Sequence, residues 1–257
     1  MNNDHIELVF NGLYDRISGN ETYASRYLGG VLWANEPSQM LVSGNEGFLD
    51  NVSDTVKKAW EYIKKFLKYI KDTVSAFFKS GKIKNASASV KESLKVPEAD
   101  LSDSVESKLK QASERVQQII DALENVTKDG DDIKDFLKTD EIFKLGHGGY
   151  VAVLEKERDR LVKALKDVQA NLQNDKRREA LQKCDTLLTI ITGINNVYGT
   201  GANGVQRTLD AIEHSDVKND DTNMRIKTLK WILKGFDALC TQMISATALV
   251  EKIAKIK

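Results

Sequence analysis

The stretch NVSDTVKKAWEYIKKFLKYIKDTVSAFFKSGKIK, Asn51 to Lys84, decides the fold. Its apolar positions are Val52, Val56, Ala59, Trp60, Ile63, Phe66, Leu67, Ile70, Val74, Phe77 and Phe78. Each step between them keeps one side of an α-helix, which turns every 3.6 residues. The other side carries Lys57, Lys58, Lys64, Lys65, Lys68 and Lys71, and Lys79, Lys82 and Lys84 follow. Against these nine cations stand only Asp54, Glu61 and Asp72, a local excess of six positive charges. The spacing predicts one long amphipathic helix with a basic face.

The same period recurs along the chain. Ile6, Val9, Phe10, Leu13 and Ile17 predict a short helix, and Ser18 with Glu21 has capping-box spacing for a second through Tyr23 to Leu32. Pro37 to Asp50 reads as loop. Leu101–Lys128 predicts a strong helix with its stripe on Val105, Leu109, Ala112, Val116, Ile119, Ile120, Leu123 and Val126. Asp129-Gly130 ends it, and a shorter helix runs from Ile133 to Phe143. Gly146 to Gly149 reads as a hinge before a helix from Tyr150 to Leu172. Asn174-Asp175 is placed as the cap of a helix that Gly199 to Gly204 should break. A short helix through Val205, Leu209 and Ile212, a polar turn at His214 to Thr222 and a last helix to Ile256 complete the pattern.

No alternating run predicts a strand. The expected fold is all-α, a multi-helix antiparallel bundle of long helices with a separate amphipathic N-terminal region. The expected division is 1–84 for that region, 85–100 for a linker and 101–257 for the bundle. The linker reading rests on the small, polar, poorly patterned residues from Gly81 to Asp100, which permit weak helix in part. Only two prolines, Pro37 and Pro97, occur in 257 residues, so long helices are undisturbed.

Composition narrows the function. Lys and Arg together number 38, as do Asp and Glu, so the chain is neutral. A bulk nucleic-acid binder carries a basic excess; here only a local patch can play that part. Cys184 and Cys240 form no CxxC and lie on apolar stripes, which reads as two buried thiols in a reducing compartment. No signal peptide and no apolar run of membrane-spanning length is expected.

Each candidate motif fails a context test. Gly199-Thr200-Gly201-Ala202-Asn203-Gly204 matches GxGxxG, but no strand precedes it, so it reads as an inter-helix loop. His5, His147 and His214 lack HxxxH or HExxH partners. Asp129, Asp131, Asp132 and Asp135 do not follow the calcium-loop pattern. No catalytic, metal or cofactor residue is expected, and no small-molecule substrate.

The Asn51–Lys84 helix is where function concentrates, through Lys57, Lys58, Trp60, Lys64, Lys65, Phe66, Lys68, Lys71, Phe77 and Phe78. It serves as a plain core helix with a solvated lysine face, as a helix lying on an anionic membrane, or as a contact for a protein or nucleic acid. The segment AWEYIKKFLKYIKDTVSAFFKSGK, Ala59 to Lys82, resembles helices of structural and internal head proteins of tailed bacteriophages. Glu46-Gly47, Glu98-Ala99 and Glu106-Ser107 are similar to the junctions that prohead proteases cut. The resemblance implies a non-enzymatic virion component, internal to the head or at the head–tail region, acting through helix–helix contacts. Its partners would be other virion proteins or itself, with packaged DNA or an anionic membrane met through the basic helix, in the virion or the host cytoplasm. A membrane-active helical protein and a cytosolic adaptor or inhibitor of a host protein are the alternatives.

Overall fold

The computed structural model describes residues 48–97, 104–125, 131–144, 149–214 and 221–256. Eight helices occupy them: α1 (Phe48–Lys79), α2 (Lys82–Ser93), α3 (Val105–Asn125), α4 (Asp131–Thr139), α5 (Glu141–Lys144), α6 (Gly149–Gln173), α7 (Arg177–His214) and α8 (Asp221–Ala254). No strand occurs among the described residues, so the fold is an all-α bundle. The helices expected within residues 6–32, the loop before Phe48 and the turns at 126–130, 145–148 and 215–220 lie outside the described residues. Contacts divide the chain into two compact units, Met1–Lys57 and Lys58–Lys257. In the first, the described part is the start of α1. The second holds α2 to α8 and the greater part of α1.

The core is organised around α8. Of its described side chains only Lys227, Lys234, Ala248 and Lys252 are exposed, one thin strip along the helix. Ile226, Leu229, Ile232, Leu233, Phe236, Leu239, Met243, Val250 and Ile253 are buried around the rest of its circumference. A helix apolar on nearly every side must be enclosed, and α8 packs against α2, α3, α4, α6 and α7. Outside it, α6 lies between α3 and α7 and makes its broadest contact with α7. The three-residue connection from Asn174 to Lys176 returns the chain along α6. Asp175 takes the left-handed conformation (φ 54°), and the Lys176 N–H donates to the Asn171 carbonyl at 2.9 Å. That is a Schellman-type stop. Asp175 therefore ends α6, where a cap for α7 was expected.

Three further expectations are corrected. The 85–100 stretch was expected as a linker, yet Lys82–Ser93 is a helix packed on α7 and α8. Its stripe is Ala86, Val90 and Ser93, all buried. The residues are small because α2 lies close to its neighbours. Secondly, the helix expected from Ile133 to Phe143 is two helices. Asp140 separates them, and its Oδ1 accepts the backbone N–H groups of Ile142 (3.0 Å) and Phe143 (3.1 Å). Thirdly, Gly199 to Gly204 does not break a helix but lies inside α7. Glycine in a helix interior costs about 1 kcal/mol relative to alanine. Here the cost is offset by packing: Gly201 abuts the ring of Phe236 on α8, while Ala202, Val205 and Leu209 are buried beside it.

Two buried arginines hold the ends of α8. Near its start, Arg225 Nε donates to Asp140 Oδ2 at 2.8 Å, with side chains only 7% and 1% exposed. Beyond its end, the Ile256 carbonyl accepts a hydrogen bond from Arg177 Nε at 3.0 Å. Arg177 Nη2 also donates to Ser93 Oγ at the end of α2. One guanidinium thus ties α2, α7 and the segment after α8.

Asp140→Ala strips the Arg225 charge of its buried partner and removes the α5 cap. A loss of about 3–5 kcal/mol is expected, read as a lower urea midpoint with little change in slope. The α7 glycines separate cleanly. A Cβ at Gly201 would overlap the Phe236 ring, whereas one at Gly199 meets nothing within 4 Å. Gly201→Ala should therefore destabilise by roughly 1–3 kcal/mol. Gly199→Ala should stabilise by up to about 1 kcal/mol. The same shift in both variants, or shifts of the reverse signs, in thermal unfolding would contradict the packing described.

Candidate functional site

The burial of α1 follows its sequence pattern. Trp60, Ile63, Leu67, Ile70, Val74 and Phe77 are buried, with Ile63, Leu67 and Ile70 each 1% exposed. Lys65, Lys68 and Lys79 are exposed, and Lys64, Lys71, Phe66 and Phe78 are half-buried. The side chains of Lys57 and Lys58 lie outside the described residues. Of the aromatic residues singled out from sequence, Trp60 and Phe77 are thus core residues, and Phe66 and Phe78 sit at its margin. Phe66 stacks on Tyr69 at 6.2 Å between centroids, and Phe78 meets Phe77 edge to face at 5.1 Å.

A tight corner joins α1 to α2. The Ser80 hydroxyl donates to the Phe77 carbonyl at 2.6 Å and accepts the Lys82 N–H at 3.3 Å. Gly81 takes the left-handed conformation there (φ 72°), which glycine adopts without strain. The outer surface of α2 then continues the cationic face with Lys82, Lys84 and Lys91, all exposed.

Ion pairs lie within and between the other helices: Lys166 to Glu124 at 2.8 Å, Arg160 to Glu157 at 2.8 Å, Lys138 to Asp135 at 3.1 Å and Lys134 to Glu155 at 3.6 Å. On α2 itself, Glu92 pairs with Lys95 at 3.3 Å. Among the described residues, Lys65, Lys68, Lys79, Lys82, Lys84 and Lys91 enter no ion pair. A row of unmatched ammonium groups attracts a polyanion or an acidic surface.

Where the corner approaches α7, a groove of about 540 Å³ opens. Phe78, Ile83, Ala88 and Leu188 supply its apolar lining, and Lys84, Lys91, Asp185 and Thr192 its polar part. Ser87 Oγ donates to Asp185 Oδ1 at 3.1 Å and fixes α2 against α7. Sequence reasoning missed this groove because one wall lies in the supposed linker. The signal was present in the spacing of Ala86, Val90 and Ser93.

The remaining motifs carry no site among the described residues. The GxGxxG glycines pack helices, as above. His5 and His147 lie outside the described residues, as does the side chain of His214. Among the described residues, no group of three or more His, Cys, Asp or Glu side chains is placed to hold a metal. An interior cavity between Leu123, Leu154 and Leu239 measures about 10 Å³, near the minimum for one water. No described helix is long and apolar enough to cross a membrane. Compared with known proteins, the chain matches no family model, no curated sequence and no solved structure.

Two weak acids next to this region, the buried Cys184 and the half-buried Tyr62, report on its packing. Burial, then the Asp185 carboxylate, pushes the Cys184 thiol from 9.0 up to about 12. Burial, then Asp237 of α8, pushes the Tyr62 phenol from 10.0 up to about 12. In each case the unfolded chain releases the proton first. Stability from these groups is therefore complete below pH 9 and is lost as pH rises toward 12. Unfolding free energy measured in that range should fall more gently in Tyr62→Phe and in Cys184→Ala than in the native chain. Parallel curves would contradict the burial of both groups.

Proposed function

We propose that this chain is a non-enzymatic structural protein of the virion type that its α1 sequence resembles, bound through helix–helix contacts along the α1–α2 face. The unmatched lysine row carries the reading. On the described surface of α1 and α2, the exposed lysines outnumber the exposed carboxylates Glu61, Asp72 and Glu92, while the apolar stripe is spent on the core. A virion protein packed beside acidic neighbours or DNA uses such a face without needing a pocket.

The membrane alternative asks more of the molecule. Trp60, Ile63, Leu67, Ile70 and Phe77 would have to leave the core together. Burying one Leu- or Ile-sized side chain contributes about 1.5–3 kcal/mol; a bilayer would return that burial to these five, but not to the core side chains they now cover. Cleavage after Glu106, if it occurs, also requires local opening, because Glu106 lies in the first turn of α3.

The decisive measurement is a density gradient of the source organism's lysate, or of its virus, with this chain located by mass spectrometry. Co-sedimentation with dense particles is expected, and it should weaken by an order of magnitude or more in a Lys65→Glu/Lys68→Glu/Lys79→Glu variant, because reversing contact charges removes attraction and adds repulsion. Recovery only in the soluble fraction would defeat the virion reading, and recovery with floating membranes would transfer it to the amphipathic-helix alternative.

A further inference from the structure

The groove between α2 and α7 is more specific than the lysine row around it. On α2, Lys84, Ala88 and Lys91 share one face, spaced by four and three residues. The opposite face, Ala86, Val90 and Ser93, is buried in the bundle. Two lysines seven residues apart stand about 10 Å apart along a helix. Between them is a methyl group, which lets another backbone approach closely.

The hydroxyl donors of the far wall are used within the protein, while the Asp185 carboxylate keeps acceptor sites and one negative charge in the groove. Thr189 Oγ1 donates to the Asp185 carbonyl at 3.1 Å, and Thr192 Oγ1 donates to the Leu188 carbonyl at 2.8 Å. The Asp185 carboxylate accepts the Ser87 hydroxyl. Lys84 and Lys91 have no ion-pair partner among the described residues. The groove therefore presents Phe78 and Ile83 as its apolar part, with Leu188 buried behind them, the Asp185 carboxylate held by Ser87, and two unmatched cations two helical turns apart, a net charge of one positive.

We propose that this groove seats an acidic amphipathic helix of a partner protein. Apolar side chains of the partner rest on the half-exposed Phe78 and Ile83, and carboxylates two turns apart meet Lys84 and Lys91, placed away from Asp185. This is the helix-in-groove mode of recognition. Charge complementarity selects the acidic partner, and the apolar floor selects a helix over nucleic acid, because a duplex backbone has no side chain to place there. A lipid surface is flat where this site is concave. The proposal rests on the reading of the α1–α2 face as a contact surface and adds which partner that surface takes.

The probe is a fluorescein-labelled helical peptide with leucine at a and d and glutamate at b, c and f of three heptads, titrated into the full-length chain and followed by anisotropy. Saturable one-to-one binding is expected, at least tenfold weaker in Lys84→Glu/Lys91→Glu. The double variant should instead bind a peptide with lysine in place of each glutamate. Ala88→Trp keeps both cations and fills the space between them. It should also weaken binding at least tenfold while leaving the circular dichroism spectrum and melting temperature of the free chain unchanged, since Ala88 is exposed. Absence of saturable binding overturns the proposal. So does binding that charge reversal abolishes and Ala88→Trp leaves intact, since that reports charge without a groove. Displacement of the peptide by a short DNA duplex but not by excess unlabelled peptide would assign the lysines to nucleic acid and overturn it as well. The two readings fail separately. A chain that sediments with particles yet ignores the peptide loses the groove alone, and a chain that binds the peptide yet is absent from particles loses the virion role alone.

Discussion

The enclosure of α8 is the constraint on which the rest depends. A helix of 34 residues with one exposed strip cannot rely on water for its polar groups. Every polar atom at its flanks needs a protein partner, or it costs about 1–3 kcal/mol. At the two ends the answer is arginine, whose planar fork offers several donors from one group. Arg177 spends that fork on the Ile256 carbonyl and Ser93, and Arg225 meets Asp140. Between the ends, Thr247 donates to the Met243 carbonyl at 2.9 Å. The first two turns are less complete: Arg225 Nη1, Thr228 Oγ1 and Trp231 Nε1 are buried without a protein hydrogen-bond partner. Stability along α8 is thus graded, with the better-satisfied part toward its end.

Much of this was legible in the sequence, for a reason that also marks where legibility stops. Helices α1, α3, α6 and α8 announce themselves because their apolar residues are large and regularly spaced. The stripe of α2 is written in Ala86, Val90 and Ser93, whose small size disguises burial as linker composition. Glycines 199, 201 and 204 look like punctuation because their use is external to α7: Gly201 makes room for Phe236, which is remote in sequence. The break at Asp140 likewise depends on Arg225, 85 residues away. Local pattern reports what a segment prefers, and these three features are decided by what it touches.

The candidate surface divides along the same line. Of the lysines that sequence placed on the basic face, Lys65, Lys68 and Lys79 are exposed and Lys64 and Lys71 half-buried, since charge and period are local. Sequence could not separate Trp60 and Phe77, which are buried, from Phe66 and Phe78, which are half-exposed. It could not find a groove whose two walls are bridged by Ser87 and Asp185, 98 residues apart. The exposed lysines of α1 and α2 give a neutral chain a locally cationic surface. Net charge alone hides that patch.

Every helix that packs on α8 lies earlier in the chain. A ribosome therefore delivers α2, α3, α4, α6 and α7 before the element that covers their inner faces exists. At roughly 5–20 residues per second, Asp140 waits several seconds for Arg225 to emerge. During that interval the nascent chain shows apolar flanks with no internal remedy. It resembles a barrel built stave by stave around a post that arrives last. Holdase chaperones or an already-assembled partner are natural occupants of that gap. A chain stopped within α8 would keep the packing of α6 on α3 and α7 but leave their inner faces uncovered.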